Sequence, residues 1–158
     1  MSIRLPVYLD YGATTPVDQR VLEVMLPYFS EKFGNPASAH FYGRETAEKV
    51  YWARTQVAQL MDSTPEEIIF TSGATESNNL VLKGVAEACC SKRKHLITVS
   101  TEHKSILANF KLLEEWGFRA TVLPVESDGR INLEQLKQAI CPETLLVSVM
   151  RVNNEVGT

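Results

Sequence analysis

The sequence predicts an α/β fold, a mostly parallel β-sheet flanked by helices, on three observations. Four short apolar, β-branched runs, EIIFTS (67–72), HLITVS (95–100), ATVLPV (120–125) and LLVSVM (145–150), read as buried strands. Helical patterns fill 75–90, 104–116 and 132–140 between them. Strand and helix alternating in this way point to parallel strands joined by helical crossovers. The third observation is bulk composition: 158 residues, 44% hydrophobic and 22% charged, match an ordinary globular domain with one sizeable core.

The elements follow in order. Thr15 as N-cap, Pro16 in the first helical position and Asp18 in the first turn predict a helix through Val21, Leu22, Met25 and Leu26, which Pro27 kinks or ends. FGNPASAHFYG (33–43), rich in glycine, proline and small polar residues, predicts an ordered loop long enough to carry function. From Arg44 onward, Ala47, Val50, Tyr51, Val57, Ala58 and Met61 recur at helical spacing against charges at Glu45, Glu48, Lys49 and Arg54, which predicts an amphipathic helix. The 104–116 helix carries Ile106, Leu107, Phe110, Leu113 and Trp116 on one stripe and is followed by Gly117, a residue suited to a C-cap. Asn132 with Gln135 three residues on predicts a capping box.

Composition also excludes. A formal net charge of -3 with both signs interspersed provides no field to gather a polyanion, so neither nucleic acid nor an anionic membrane is an expected partner. No apolar run approaches the roughly 18 residues of a membrane span, and MSIRLPVYLDYG lacks the apolar core of a signal peptide, so a cytoplasmic location is expected. Cys89, Cys90 and Cys141 are an odd number without a CxxC, which suggests neither a disulfide framework nor a thiolate metal site; they read as small buried apolar residues.

Ligands of open parallel sheets bind beyond the carboxyl ends of the strands, where loops lead into helix N-termini. By that rule EIIFTS runs into GATES, placing Gly73, Ala74 and Thr75 where unpaired helix amides attract an anion, phosphate above all, with Ser72, Thr75 and Ser77 as possible hydroxyl donors. A plain capped helix start, with Thr75 or Ser72 as cap, is the alternative. HLITVS runs into TEHKS, which places Glu102, His103 and Lys104 on the same edge; His103 suits an acid, a base or an aromatic lid, or simply a local cap. Lys104 reads as a surface lysine. RVNNEVGT adds Asn153, Asn154 and Glu155 as a third polar tip.

YLDYGATTP, FGNPASAH, EIIFTSGATESNN, STEHKS and VNNEVG, in this order and spacing, closely resemble the pyridoxal-phosphate-dependent cysteine desulfurases of the NifS/IscS type. The resemblance covers essentially the whole chain. It implies the pyridoxal-5'-phosphate-dependent transferase fold of type I, in the class V aminotransferase group, with an N-terminal arm at 1–16 and an incomplete cofactor-binding large domain at 17–158. Such enzymes take sulfur from L-cysteine, release L-alanine and pass the sulfur on as a protein persulfide for iron–sulfur clusters and thiolated tRNA. The resemblance further implies a cytoplasmic homodimer, with iron–sulfur scaffolds or other sulfur-acceptor proteins as partners and no metal in the site.

Carried over by position, the resemblance assigns Ala74 and Thr75 to the phosphate cup. His103 matches the histidine that stacks on the pyridine ring and moves protons. Asn154 matches the asparagine beside the cofactor's phenolic oxygen and the substrate carboxylate, while Asn153 and Glu155 hold its turn in shape. Asn35 and His40 fall in a segment that lines the site entrance and the dimer contact, with no catalytic role.

The family's cofactor lysine lies in an S-x-H-K stretch that these 158 residues do not contain, and TEHK only looks similar. The aspartate that pairs with the pyridine nitrogen, the persulfide-forming loop cysteine and the substrate-carboxylate arginine are absent too. The resemblance therefore implies an N-terminal portion, inactive alone. Cys89 and Cys90 lie roughly 20 Å or more along their helix from the cup, so neither is the sulfur carrier, and nothing puts Cys141 in that role. Arg151 stands where neighbouring members carry other residues. Other readings are a selenocysteine lyase, another class V enzyme, or a non-catalytic remnant that binds a partner.

Overall fold

A computed structural model describes residues 6–89 and 93–158. The chain forms two compact units that divide between Phe70 and Thr71.

The first unit is helical. Its first helix, α1 (Gln19–Met25), begins later than Thr15-Pro16 suggests, because Asp18 is the N-cap: its carboxylate accepts the Arg20 amide at 2.9 Å and also pairs with the Arg20 guanidinium at 2.7 Å. A carboxylate serves the orphan amides of a helix start better than a hydroxyl farther upstream. Pro27 breaks the helix as expected and opens the short α2 (Pro27–Ser30). The long α3 (Phe41–Leu60) starts three residues before Arg44, capped by His40, whose Nδ1 accepts the Gly43 amide at 3.3 Å. Gly43 is required there: a Cβ would lie 2.1 Å from the Ser38 carbonyl oxygen, so the 33–40 loop packs backbone to backbone on the helix start.

EIIFTS is not a strand. Pro65–Glu67 forms a 3-10 turn with a reciprocal Thr64–Glu67 cap, and residues 68–72 form no helix and pair with no strand among the described residues. A strand needs a ladder partner for its amides and carbonyls. Instead the Arg54 guanidinium donates to the Ile68 carbonyl and sits 4.9 Å from the centre of the Phe70 ring, while Ile69 and Phe70 stay exposed.

The second unit contains α4 (Ala74–Cys89), β1 (His95–Val99), α5 (Lys104–Glu115), β2 (Arg119–Leu123), α6 (Leu133–Ala139) and β3 (Thr144–Val147). Cys90 lies outside the described residues. The three strands form a parallel sheet in the order β2-β1-β3. Every residue of β1 is buried, as expected of a central strand covered on both faces. Leu96 packs with Leu82 and Ala86 of α4 and with Ile106, Phe110 and Leu113 of α5. Ile97 and Val99 pack with Leu123 and with Leu136 and Ala139 of α6.

Trp116, expected on the apolar stripe of α5, is instead its half-exposed C-cap. Beyond it Gly117 has φ +88°, the Gly117 amide bonds the Glu114 carbonyl and the Phe118 amide bonds Leu113, a Schellman end that turns the chain into β2. Asn132 caps α6, its Oδ1 accepting the Glu134 and Gln135 amides at 3.0 and 3.1 Å. Among the described residues no helix is long and apolar enough to cross a membrane.

Candidate functional site

The carboxyl ends of β1 and β3 carry the polar tips expected there. After β1 the chain turns through Glu102 and His103 into α5. His103 is exposed and caps the helix, its Nδ1 accepting the Ser105 amide at 3.1 Å, with the Ser105 hydroxyl 2.8 Å from the same nitrogen. Lys104 is exposed and makes no hydrogen bond among the described residues, in keeping with a surface lysine.

Glu102, placed on this edge by the sequence without a role, is 8% exposed and grips both tips. Its Oε2 accepts the His103 amide at 3.2 Å and its Oε1 the Met150 amide at 2.5 Å, just after β3. Its bond to the Met150 amide joins segments 48 residues apart, which residue type and spacing do not reveal.

After β3, Asn153 and Asn154 divide the work. Asn153 is buried; its Oδ1 accepts the Glu155 and Val156 amides at 2.8 and 3.0 Å, and its Nδ2 donates to the Thr101 carbonyl at 2.9 Å. It shapes the turn and ties it to the β1 tip. Asn154 is exposed within that turn, its side chain without a hydrogen bond among the described residues and available to a ligand. Glu155 supports the turn through its amide alone.

The third tip is the start of α4. The amides of Ala74 and Thr75 have no partner among the described residues, and the Thr75 hydroxyl is likewise open. The other hydroxyls are committed. Ser72 gives its hydroxyl and amide to the Glu76 carboxylate, both at 2.7 Å, and these bonds, the hydroxyl foremost, hold the Glu76 carboxyl below its ordinary range. Ser77 bonds Thr71 at 2.7 Å and the Gly73 carbonyl at 3.3 Å. Of the three hydroxyls expected to face an anion, only Thr75 remains. The helix start still fits a phosphate, with open amides at the positive end of a 16-residue helix.

Asn78 of α4 donates to the Ser105 hydroxyl at 2.8 Å, which joins this tip to the His103 turn. All three tips are thus bonded into one carboxyl edge. A cleft of about 320 Å³ lies beside it, lined by Val99, Thr101, Ile131, Met150 and Arg151, but His103, Asn154 and Thr75 are not on its walls. This gives Arg151 a position, and nothing in the structure explains its choice.

The cysteines lie elsewhere. Cys89 is exposed at the far end of α4, contrary to the expectation of burial, because only Leu82 and Ala86 of that helix reach the core. Cys141 is half-buried near the amino end of β1, with Sγ 3.5 Å from His95 Nδ1 and 3.4 Å from the Arg119 guanidinium. Among the described residues no three of His, Cys, Asp and Glu are grouped to hold a metal.

The aminotransferase class-V family profile matches residues 7–158. The chain belongs to the class-V aminotransferase family. Among its relatives, this class-V chain is 56% identical over 158 residues to the cysteine desulfurase IscS of Neisseria meningitidis serogroup C, with 99% of this chain and 39% of that protein aligned. It is 54% identical over 157 residues to the cysteine desulfurase IscS of Rickettsia prowazekii, covering 99% of this chain and 38% of that one. Among solved structures, a NifS-like protein superposes with a TM-score of 0.92 at 47% identity, over 96% of this chain and 42% of the other. SspA in complex with cysteine superposes with a TM-score of 0.87 at 42% identity, over 94% and 43%. The fold is therefore that of the type I pyridoxal-phosphate enzymes, and the chain spans about two fifths of the length of these relatives.

Proposed function

We propose that this class-V chain is the N-terminal portion of a cytoplasmic, homodimeric cysteine desulfurase, which takes sulfur from L-cysteine, releases L-alanine and passes a protein persulfide to an iron–sulfur scaffold or another acceptor. On this reading residues 17–158 belong to the cofactor-binding large domain and 1–16 form an arm. The observation that carries the proposal is the bonded carboxyl edge: open amides at Ala74 and Thr75, an exposed His103 and an exposed Asn154 on three tips tied by Asn78, Glu102 and Asn153. The names and identities of the relatives support the same reaction.

Pyridoxal phosphate, when bound, supplies an electron sink that weakens bonds at the substrate's Cα. The chain's own residues do the rest. The Ala74 and Thr75 amides and the Thr75 hydroxyl would hold the phosphate. His103 would lie against the ring and hold a proton at the site. Asn154 would donate its amide hydrogens to the ring oxygen and the substrate carboxylate, and Glu102 and Asn153 keep both tips in register.

The test is alanine and sulfide release from L-cysteine by the full-length protein with cofactor and reductant. His103→Ala and Asn154→Ala are each expected to slow release by about 10²-fold or more. The 158 residues alone, without an S-x-H-K lysine, are expected to release none. Wild-type rates in both variants, or turnover by the isolated chain, refute the proposal.

A further inference from the structure

The hydrogen bonds around His103 define where its proton sits. The Ser105 amide reaches His103 Nδ1 at 3.1 Å, and an amide N–H only donates, so Nδ1 presents its lone pair. The Ser105 hydroxyl lies between two partners, 2.8 Å from His103 Nδ1 and 2.8 Å from Asn78 Nδ2. Asn78 Nδ2 also only donates. The Ser105 oxygen therefore accepts from Asn78, and its single proton is left to donate to Nδ1. Two donors thus converge on one ring nitrogen. Ser105 is buried and Asn78 half-buried, so water competes poorly for these bonds.

We propose that Asn78 and Ser105 are positioning residues: the chain from α4 through the Ser105 hydroxyl holds neutral His103 in the Nε2–H tautomer and presents Nε2 to the site. Proton uptake at Nδ1 then has a structural consequence, since it breaks the cap of α5 and turns the Ser105 hydroxyl. Asn78 sets the direction of the whole chain from 27 residues away in sequence. The proposal deepens the reading of His103 as a site residue and rests on it for its functional meaning.

The experiment is long-range ¹H–¹⁵N correlation of the imidazoles in the labelled 158-residue chain at mildly alkaline pH. His103 is assigned among the three histidines by subtraction with His103→Asn, and the His95 signals report an intact core. The wild type is expected to show Nε2–H as the main His103 tautomer. Ser105→Ala removes one of two donors and is expected to lower the Nε2–H to Nδ1–H ratio about fivefold. Asn78→Asp puts an acceptor where a donor stood, reverses the Ser105 hydroxyl and is expected to move the ratio toward Nδ1–H by about tenfold or more.

A predominant Nδ1–H form in the wild type overturns the proposal, as does an unchanged ratio in Ser105→Ala. Should Asn78→Asp disturb the His95 signals, Ser105→Ala decides. No cofactor or substrate enters the measurement. A desulfurase assay that fails therefore leaves the tautomer result standing, and an unmoved tautomer leaves the desulfurase reading standing.

Discussion

Strand β1 begins with one histidine and is followed by another, and its two ends have opposite characters. At the amino end His95 is 1% exposed and both ring nitrogens are engaged, Nε2 with Thr121 at 2.8 Å and Nδ1 with Thr144 at 2.9 Å. The Cys141 amide also donates to the Thr144 hydroxyl oxygen at 2.9 Å, so the ring sits in a closed polar cluster. Burial, helped by the nearby Arg119 cation, lowers the pKa of His95 from the ordinary histidine value and favours the neutral ring. At the carboxyl end His103 is exposed, with Nδ1 held and no partner for Nε2 among the described residues. The same side chain is a packing piece at one end and a candidate reagent at the other. The end of a parallel strand, more than the residue type, assigns the role.

Substitutions at the two ends break or sharpen that contrast. The largest effect is expected from His95→Ala, which opens a ring-sized cavity, leaves the Thr121 hydroxyl without its partner and the Thr144 hydroxyl with Cys141 alone; a loss of roughly 3–5 kcal/mol in denaturant unfolding is anticipated. A loss below about 1 kcal/mol would erase the structural character of that end.

Glu102→Ala removes the acceptor shared by the His103 and Met150 amides and is expected to cost about 1–3 kcal/mol by the same measurement. Unchanged stability would mean that the two tips do not depend on this tie.

The pH dependence of melting separates the ends further. The lowered pKa of His95 means that the unfolded chain binds its proton first. This contribution is fully present above the unfolded value of about 6.5 and is lost as pH falls through the folded value, so melting temperature should drop on acidification through that window. His95→Gln should flatten this part of the profile. A slope identical to wild type would place its origin elsewhere.

The smallest effect is expected from His103→Asn. Asparagine still accepts the Ser105 amide as an N-cap, so stability should stay within about 0.5 kcal/mol of wild type. A larger loss would make the carboxyl end structural as well, and the contrast would fail.

Much of this edge was legible in the sequence, for identifiable reasons. The run at 95–99 carries apolar residues on both faces, Leu96 on one and Ile97 and Val99 on the other, because it is covered on both, and TEHKS had to emerge at its carboxyl end. EIIFTS looked equally strand-like, but ladder pairing depends on which backbone lies alongside, and local residue type does not carry that information. Thr15-Pro16 predicts the helix start with Asp18 in its first turn, whereas Asp18 itself is the cap and the helix begins after it. Asn153 and Asn154 are adjacent and chemically identical; only the direction of each side chain separates the staple from the open amide. The Asn78–Ser105 bond joins two helices whose separation in sequence has no period to detect. The phosphate-binding capacity of Ser72 and Ser77 was overestimated because a neighbouring carboxylate and hydroxyl had already claimed them.

The burial of β1 on both faces also bears on how this edge fails. Amides in a central strand exchange with solvent mainly when the whole unit opens, and Glu102 and His103 follow that strand within a few residues. The tips held by Glu102 and Asn153 are therefore fastened to the slowest-exchanging part of the chain. On heating, the edge should keep its shape up to the cooperative transition of the second unit and lose it there in one step, instead of fraying in the manner of a surface loop.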